Sequence, residues 1–242
     1  MLIGDASGTP RWHPVWAGNP ILVKPYEYIG DEPVSRIRSG PHCRPYIVYP
    51  FSEDTGWTFN QAFKCREHIA RLYLTDTETQ RGVDARARYG PYVLIEPFTK
   101  HGNFRWPLKR WQALVAACPD LTFVQHTHAD TSERVIGAHY EPANFREAWG
   151  LIASADLYVR SESGLCHAAA ALETRQVTLF GGCMDADVMG GYPLQTVIAD
   201  HWPPSPCGRW RPCEHCRAAM DRITVEDVVA AMRAHLQIRR AA

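Results

Sequence analysis

The chain has 242 residues, 45% of them hydrophobic and 21% charged, and a formal net charge of zero. This is the balance of a globular chain long enough to bury one good core or two small ones. Zero net charge provides no basic field for non-specific nucleic-acid binding, no run approaches the roughly 18 apolar residues of a membrane span, and the opening MLIGDASGTP lacks the basic start and apolar stretch of a secretory signal.

Residues 1–88 are punctuated by Pro10, Pro14, Pro20, Pro25, Pro33, Pro41, Pro45 and Pro50. Ile21-Leu22-Val23 and Tyr46-Ile47-Val48-Tyr49 are short strand candidates bounded by Pro and Gly. Phe59 to Leu74 is the best helix of this half, and the charged run from Thr75 to Gly90 reads as a connection or domain boundary. Regularity begins at Pro91. Tyr92 to Ile95 is a buried strand. Trp111, Leu114, Val115 and Cys118 then repeat at helical spacing behind Pro107. Leu121 to Val124 is a further strand, and Phe145, Ala148, Trp149 and Ile152 repeat the helical spacing behind the N-cap candidate Asn144.

The run from Ala155 to Gly182 carries the most information. Leu157 to Val159 is β-prone, Ser161-Glu162-Ser163-Gly164 forms a polar elbow, and Leu165, Ala168, Ala169 and Leu172 lie on one helix face. Val177 to Phe180 is the next strand, closed by Gly181-Gly182. Such a βαβ unit sets a helix N-terminus, with its N–H groups and positive dipole end, beside a strand's C-terminal edge, where α/β folds bind anions. An ordinary crossover with a tight elbow would read the same way. After it, Gly181 to Pro193 is a Gly-rich loop in which Asp185 and Asp187 read as solvated charges. At the C-terminus Thr224 with Asp227 resembles a capping box, before a helix carrying Val225, Val228, Val229 and Met232. Strands alternating with helices of this length imply a parallel sheet with helices on both faces.

Two loops could hold an anionic ligand. Pro97 to Pro107 joins a strand end to a helix start and offers Thr99, Lys100 and Arg105, which with backbone N–H groups can cradle a diphosphate. It also reads as a polar surface loop with Trp106 as its packing anchor. The elbow adds Glu162, Ser163 and Gly164, and His167 stands one turn into the helix as either a ligand contact or a packed imidazole. His126 and His128, after a strand end, are expected to face solvent or a domain cleft. Five cysteines (Cys43, Cys65, Cys118, Cys166, Cys183) are scattered, as in a reduced cytosolic protein. The other three, Cys207, Cys213 and Cys216, form C-x5-C-x2-C beside His215. Three thiols and a His can complete a zinc site, but the second C-x-x-C of common zinc motifs is missing. The plainer expectation is a Pro-rich, Cys-containing loop and no metal.

The order of residues adds to the spacing. S-E-S-G-L-C-H-A-A-A-A-L followed by V-T-L-F-G-G resembles the donor-site signature of family 9 glycosyltransferases, the heptosyltransferase-like group, usually D-S-G-x-x-H-x-A-A-A-L-G and then a strand ending F-G. Ser163, Gly164, His167 and Ala169 to Leu172 match, Glu162 stands for the usual Asp, and Glu173 replaces a usual Gly. Asn103, Trp106 and Pro107 fit the family's N-K-x-W-P, with Phe104 at the Lys position and Lys100 or Arg105 able to supply the charge. Tyr192 fits a common Gly-Tyr. Met220, Ile223, Thr224 and Val228 fit the family's last helix, which many members precede with C-x-x-C-type residues. Arg11 to Pro20 resembles the family's H-P-x-[FW]-x-x-N-P, as if the first βα unit were lost, or Gly4-Asp5 were a compressed form of its turn.

With specific motifs the resemblance covers Pro91 to Leu236. It implies a GT-B-like α/β fold of Rossmann-like doubly wound parallel sheets with an incomplete N-terminal domain. Residues 1–88 would be an abbreviated acceptor-side domain and residues 89–242 the donor domain. The implied reaction is inverting, metal-independent transfer of a heptose or other hexose-like sugar from a nucleoside-diphosphate sugar. The acceptor would be a glycan, lipid-linked or other hydroxyl. On this resemblance Thr99, Lys100, Arg105, Glu162, Ser163, Gly164, His167, Gly181 and Gly182 bind the donor, Asp5 is the base candidate, and no cofactor is needed. The location implied is cytoplasmic, or peripheral to the inner face of a membrane. The alternatives are a nucleotide-sugar-binding remnant without catalysis, a zinc-stabilised nucleic-acid binder, and a nucleotide-sugar epimerase.

Overall fold

The computed structural model describes residues 12, 14, 17–20, 71–127, 133–199, 205–207 and 212–241, apart from the side chains of 187–188 and 238–241. Asp5, His128 and the strand candidates at 21–23 and 46–49 lie outside the described residues, as does the helix expected over Phe59–Leu74 except for its last four residues, which are not helical.

Six strands form one sheet: β1 (Val93–Glu96), β2 (Phe123–Thr127), β3 (His139–Pro142), β4 (Leu157–Ser161), β5 (Gln176–Phe180) and β6 (Gln195–Ala199). Every pairing is parallel and the order is β3-β2-β1-β4-β5-β6. This is the Rossmann order, the doubly wound parallel architecture the sequence implies. Alternation along the strands sends Val93, Ile95, Leu157, Val159, Val177 and Leu179 to one face, and Leu94 and Tyr158 to the other. The first face is covered by α2 (Leu108–Ala116), α6 (Glu214–Arg222) and α7 (Val225–Ala241), whose Trp111, Leu114, Met220, Val228 and Met232 are buried there. The second is covered by α1 (Asp76–Tyr89), α3 (Glu147–Ser154) and α4 (Gly164–Ala171). A short α5 (Ala186–Met189) follows β5.

Two local outcomes differ from the sequence reading, and the capping by Asn144 agrees with it. Thr75–Gly90 is not a connection but helix α1, opened by a reciprocal capping box between Thr75 and Glu78. Its low apolar content hides a backbone-to-backbone contact. A Cβ on Gly150 of α3 would lie 2.1 Å from the Glu78 carbonyl oxygen, and one on Gly82 of α1 would lie 2.6 Å from the Gly150 carbonyl oxygen, so the two helices touch backbone to backbone. Glu78 is held there by Arg146, whose Nε and Nη2 donate to the two carboxylate oxygens at 2.5 and 2.6 Å. Asn144 caps α3 from just outside it: its Oδ1 accepts from the N–H groups of Arg146 (3.0 Å) and Glu147 (2.9 Å). The edge strands β3 and β6 and the helix α6 are not among the elements expected from the sequence, although Cys216, Ala219, Met220 and Ile223 of α6 and its C-cap repeat at helical spacing and are all buried. His139–Pro142 is half polar and ends in Pro, as an edge strand can.

Candidate functional site

Strand order reverses between β1 and β4, and in open α/β sheets ligands bind at the carboxyl ends of the strands at that point. A cleft of about 680 Å³ opens there. Its polar wall carries Glu96, Thr99, Lys100, Arg105, Glu162 and Ser163, with Gly164 at the start of α4. Phe98, Phe104 and Phe145 supply an apolar side. A second hollow of about 570 Å³ lies at the opposite edge of the sheet, but its charges already pair with each other, Arg86 with Asp156 and Arg233 with Asp120. The switch-point cleft is therefore the better ligand site.

Each wall residue is positioned by its backbone. The loop after β1 turns at Thr99, whose hydroxyl donates to the His101 carbonyl at 2.8 Å, while Arg105 Nε donates to the Thr99 carbonyl at 3.0 Å. Lys100 and Arg105 remain exposed on this loop. Trp106 ties it down, with its Nε1–H donating to the Ile223 carbonyl at 3.0 Å. On the other side Ser163 is the N-cap of α4 and accepts from the Leu165 N–H at 3.4 Å.

The floor of the cleft is a buried ionic network that sequence reasoning missed. Glu96 and Arg160 are register partners at the ends of β1 and β4. Arg160 Nη1 lies 2.7 Å from Glu96 Oε2 and donates to the Tyr158 hydroxyl at 3.0 Å; that hydroxyl donates to Glu96 at 2.8 Å. His126, expected at solvent or a cleft, is buried at the cleft with Nε2 3.1 Å from the same hydroxyl. Arg160 also donates through Nε to the Ser161 carbonyl at 2.7 Å and through Nη2 to the Ser163 hydroxyl. The guanidinium thus ties the sheet edge to the cap of α4. A detectable signal existed: Arg160 directly follows the apolar run Leu157–Val159, and a charged residue that extends a central buried strand needs a buried partner, which Glu96, the residue after the Tyr92–Ile95 run, supplies.

The remaining predicted residues divide. Glu162 lines the cleft, but burial pushes its carboxyl above the usual range, with Arg160 pulling the other way. His167 is not on the cleft wall. Its Nδ1 pairs with the Tyr192 hydroxyl at 2.7 Å, and burial lowers its pKa to about 4, so the imidazole is neutral near pH 7 and offers a phosphate no charge. Its ring and the Glu162 carboxylate still lie within 4.8 Å of each other. Gly181 and Gly182 also lie off the wall and serve close packing. A Cβ on Gly181 would fall 2.8 Å from the Asn103 carbonyl oxygen, and one on Gly182 would fall 2.3 Å from a carbon of the His215 ring. The structure also brings Cys207, Cys213, His215 and Cys216 together behind the loop containing Phe104.

The family model of glycosyltransferase family 9 (heptosyltransferase) matches residues 58–212. The chain belongs to glycosyltransferase family 9. The match begins well before the Pro91 at which the sequence motifs start. Among solved structures the chain is similar to E. coli ADP-heptose lps heptosyltransferase II (20% identity, TM-score 0.53, 71% of this chain and 54% of that one). It is also similar to E. coli heptosyltransferase WaaC with ADP (17%, 0.54, 76% and 56%) and to the glycosyl transferase family 9 from Veillonella parvula (10%, 0.62, 90% and 64%). The chain therefore spans between half and two thirds of the length of these family 9 structures, and the likeness is one of fold. No curated protein matches the sequence. No helix among the described residues is long and apolar enough to cross a membrane.

Proposed function

We propose that the switch-point cleft binds a nucleoside-diphosphate sugar and that the protein transfers its sugar, a heptose or other hexose-like unit, to a hydroxyl acceptor with inversion and without a catalytic metal. One observation carries the reading: Lys100, Arg105 and the N-terminus of α4 share one cleft at the carboxyl edge of a Rossmann-order sheet. Two cations and the positive end of a helix suit a diphosphate, and would stabilise it as a leaving group where its charge grows. Glu162, an acceptor when ionised, would repel phosphate oxygens and suits paired hydroxyls of the ribose or sugar. Phe98, Phe104 and Phe145 offer the base an apolar face. The acceptor's proton must leave as the anomeric carbon is attacked. Asp5 is the proposed base, on the acceptor side, and the sheet with its covering helices, α1 among them, holds the donor. The bound ADP named for the E. coli WaaC structure makes an adenine nucleotide the first to try. A cytoplasmic site of action follows from this donor.

The test is thermal denaturation with ADP, UDP, GDP and their sugar conjugates. A ligand at a hundred times its dissociation constant raises stability by about 2.7 kcal/mol. No shift in melting temperature with any of them at millimolar levels would sink the donor-site reading. Sugar transfer to a hydroxyl acceptor separates an enzyme from a module that only binds.

A narrower prediction concerns Glu162. Glu162→Gln keeps the shape and removes the charge, and is expected to weaken nucleotide-sugar binding by about 1.5–3 kcal/mol, the range of a charge-assisted hydrogen bond. Stability should hold, because the buried carboxyl is costly to ionise. A loss of about 1 kcal/mol in stability with unchanged affinity would instead make Glu162 a capping residue.

A further inference from the structure

Behind the cleft lies a cluster that the proposed donor chemistry does not use. The Sγ atoms of Cys207, Cys213 and Cys216 and a ring nitrogen of His215 all lie within 4.8 Å of one another. Cys207 and Cys216 Sγ are 3.3 Å apart, and Cys216 Sγ is 4.0 Å from His215 Nδ1. None of the described cysteines is in a disulfide. Zn–S bonds near 2.3 Å and Zn–N bonds near 2.0–2.1 Å in a tetrahedron separate neighbouring ligand atoms by about 3.5–3.8 Å. These two separations bracket that span and the others stay within 4.8 Å, so shifts of about an ångström or less would complete the tetrahedron.

The surroundings fit as well. The other ring nitrogen of His215, Nε2, is 3.1 Å from the Ser205 hydroxyl, the kind of outer contact that fixes the orientation of a ligating imidazole. Phe104, Cys183 and Met184 pack around the thiols and give them an apolar shell. A disulfide between Cys207 and Cys216 would explain two of the four groups and leave Cys213 and His215 converging without a purpose.

We propose that Cys207, Cys213, His215 and Cys216 form a structural zinc site that braces the two loops behind the donor cleft. Three thiolates and an imidazole select a thiophilic tetrahedral ion over magnesium, calcium or manganese. Four protein ligands close the coordination sphere, so the ion takes no part in sugar transfer. Its reach is set by the backbone. The Cys207 N–H donates to the Gly182 carbonyl at 2.9 Å, and the Cys213 N–H donates to Asn103 Oδ1 at 2.9 Å. One ion would thus join the 205–207 segment and the start of α6 to the loop after β5 and to the turn before Trp106. The absence of a second C-x-x-C does not matter, because Cys207 comes from a separate segment folded back onto α6.

The test is elemental analysis of the full-length chain, purified without chelator and dialysed against metal-free buffer. Zinc equimolar with protein is expected. Replacement by cobalt(II) should give the visible absorption of a tetrahedral thiolate site. Cys213→Ser with Cys216→Ser should abolish stoichiometric zinc, whereas Cys118→Ser, buried elsewhere against α7, should retain it. Should the double variant fail to fold, Ser205→Ala gives a gentler reading: loss of the outer contact should weaken zinc binding about tenfold. Protein that stays zinc-free when refolded with equimolar zinc, stoichiometric iron in zinc's place, or a Cys207–Cys216 disulfide in the protein as isolated would each overturn the proposal. Zinc content is read without nucleotide, so this result and that for the donor cleft stand or fall separately.

Discussion

Arg160→Met is expected to cost about 3–5 kcal/mol of stability, the range for removing one partner of a buried ion pair. Arg160 is fully buried, and its charge is matched by Glu96, whose side chain is only 13% exposed. Met fills much of the volume but leaves the Glu96 carboxylate with only the Tyr158 hydroxyl and the neighbourhood of His126. The substitution also takes the guanidinium from the Ser163 hydroxyl, so the cap of α4 should loosen and nucleotide affinity should fall together with stability. Denaturant titration of Arg160→Met, Glu96→Gln and the double variant separates the terms. Glu96→Gln alone leaves a buried guanidinium short of its counter-charge and should also be costly. The double variant should be more stable than the sum of the single losses predicts, because each change removes what the other strands. Additive losses, or less than about 1 kcal/mol for Arg160→Met, would mean that water solvates Glu96 in the cleft and that the pair does not hold the elbow.

The parts of this protein that could be read in advance are those where one residue type has one use. The buried strands at 92–95, 157–159 and 177–180 were apolar runs between turn residues. The α4 elbow was legible because Ser163 and Gly164 are helix-start residues followed by a clean apolar stripe. Thr99, Lys100, Arg105, Glu162, Ser163 and Gly164 were named as a group and do meet on one cleft. What was not legible depends on pairing across the fold. Arg160 is an ordinary charge until β1 brings Glu96 alongside. Helix α1 looks like a polar connection until Gly82 and Gly150 let it press on α3. His167 and Gly181 match the family's pattern of residues and Gly182 follows directly, yet Tyr192, Asn103 and His215 account for their positions by packing. The four metal-type ligands were visible as a set, but C-x5-C-x2-C could not show that the 205–207 segment folds back onto α6.

Trp106→Ala should match the Arg160 substitution in size for a different reason. Trp106 is 1% exposed and packs edge-on against Trp111, with ring centroids 5.1 Å apart. Truncating a buried Trp to Ala costs about 3–5 kcal/mol through lost burial and the cavity left behind. Trp106 is also the C-terminal anchor of the loop that carries Lys100 and Arg105, through its bond to the Ile223 carbonyl between α6 and α7. Trp106→Phe distinguishes burial from hydrogen bonding. It keeps a ring in the site but loses the indole N–H, and the Ile223 carbonyl still accepts from the Arg110 guanidinium. No buried acceptor is stranded, so the hydrogen-bond part of the loss should be only about 1 kcal/mol. Nucleotide affinity should follow the same ranking, since a loop without its anchor must be ordered on binding and that ordering opposes it. Equal stability losses for Ala and Phe would assign the anchoring to the hydrogen bond. A stable Trp106→Ala variant with full nucleotide affinity would show that the loop is held from its Thr99 end and that the indole only fills space.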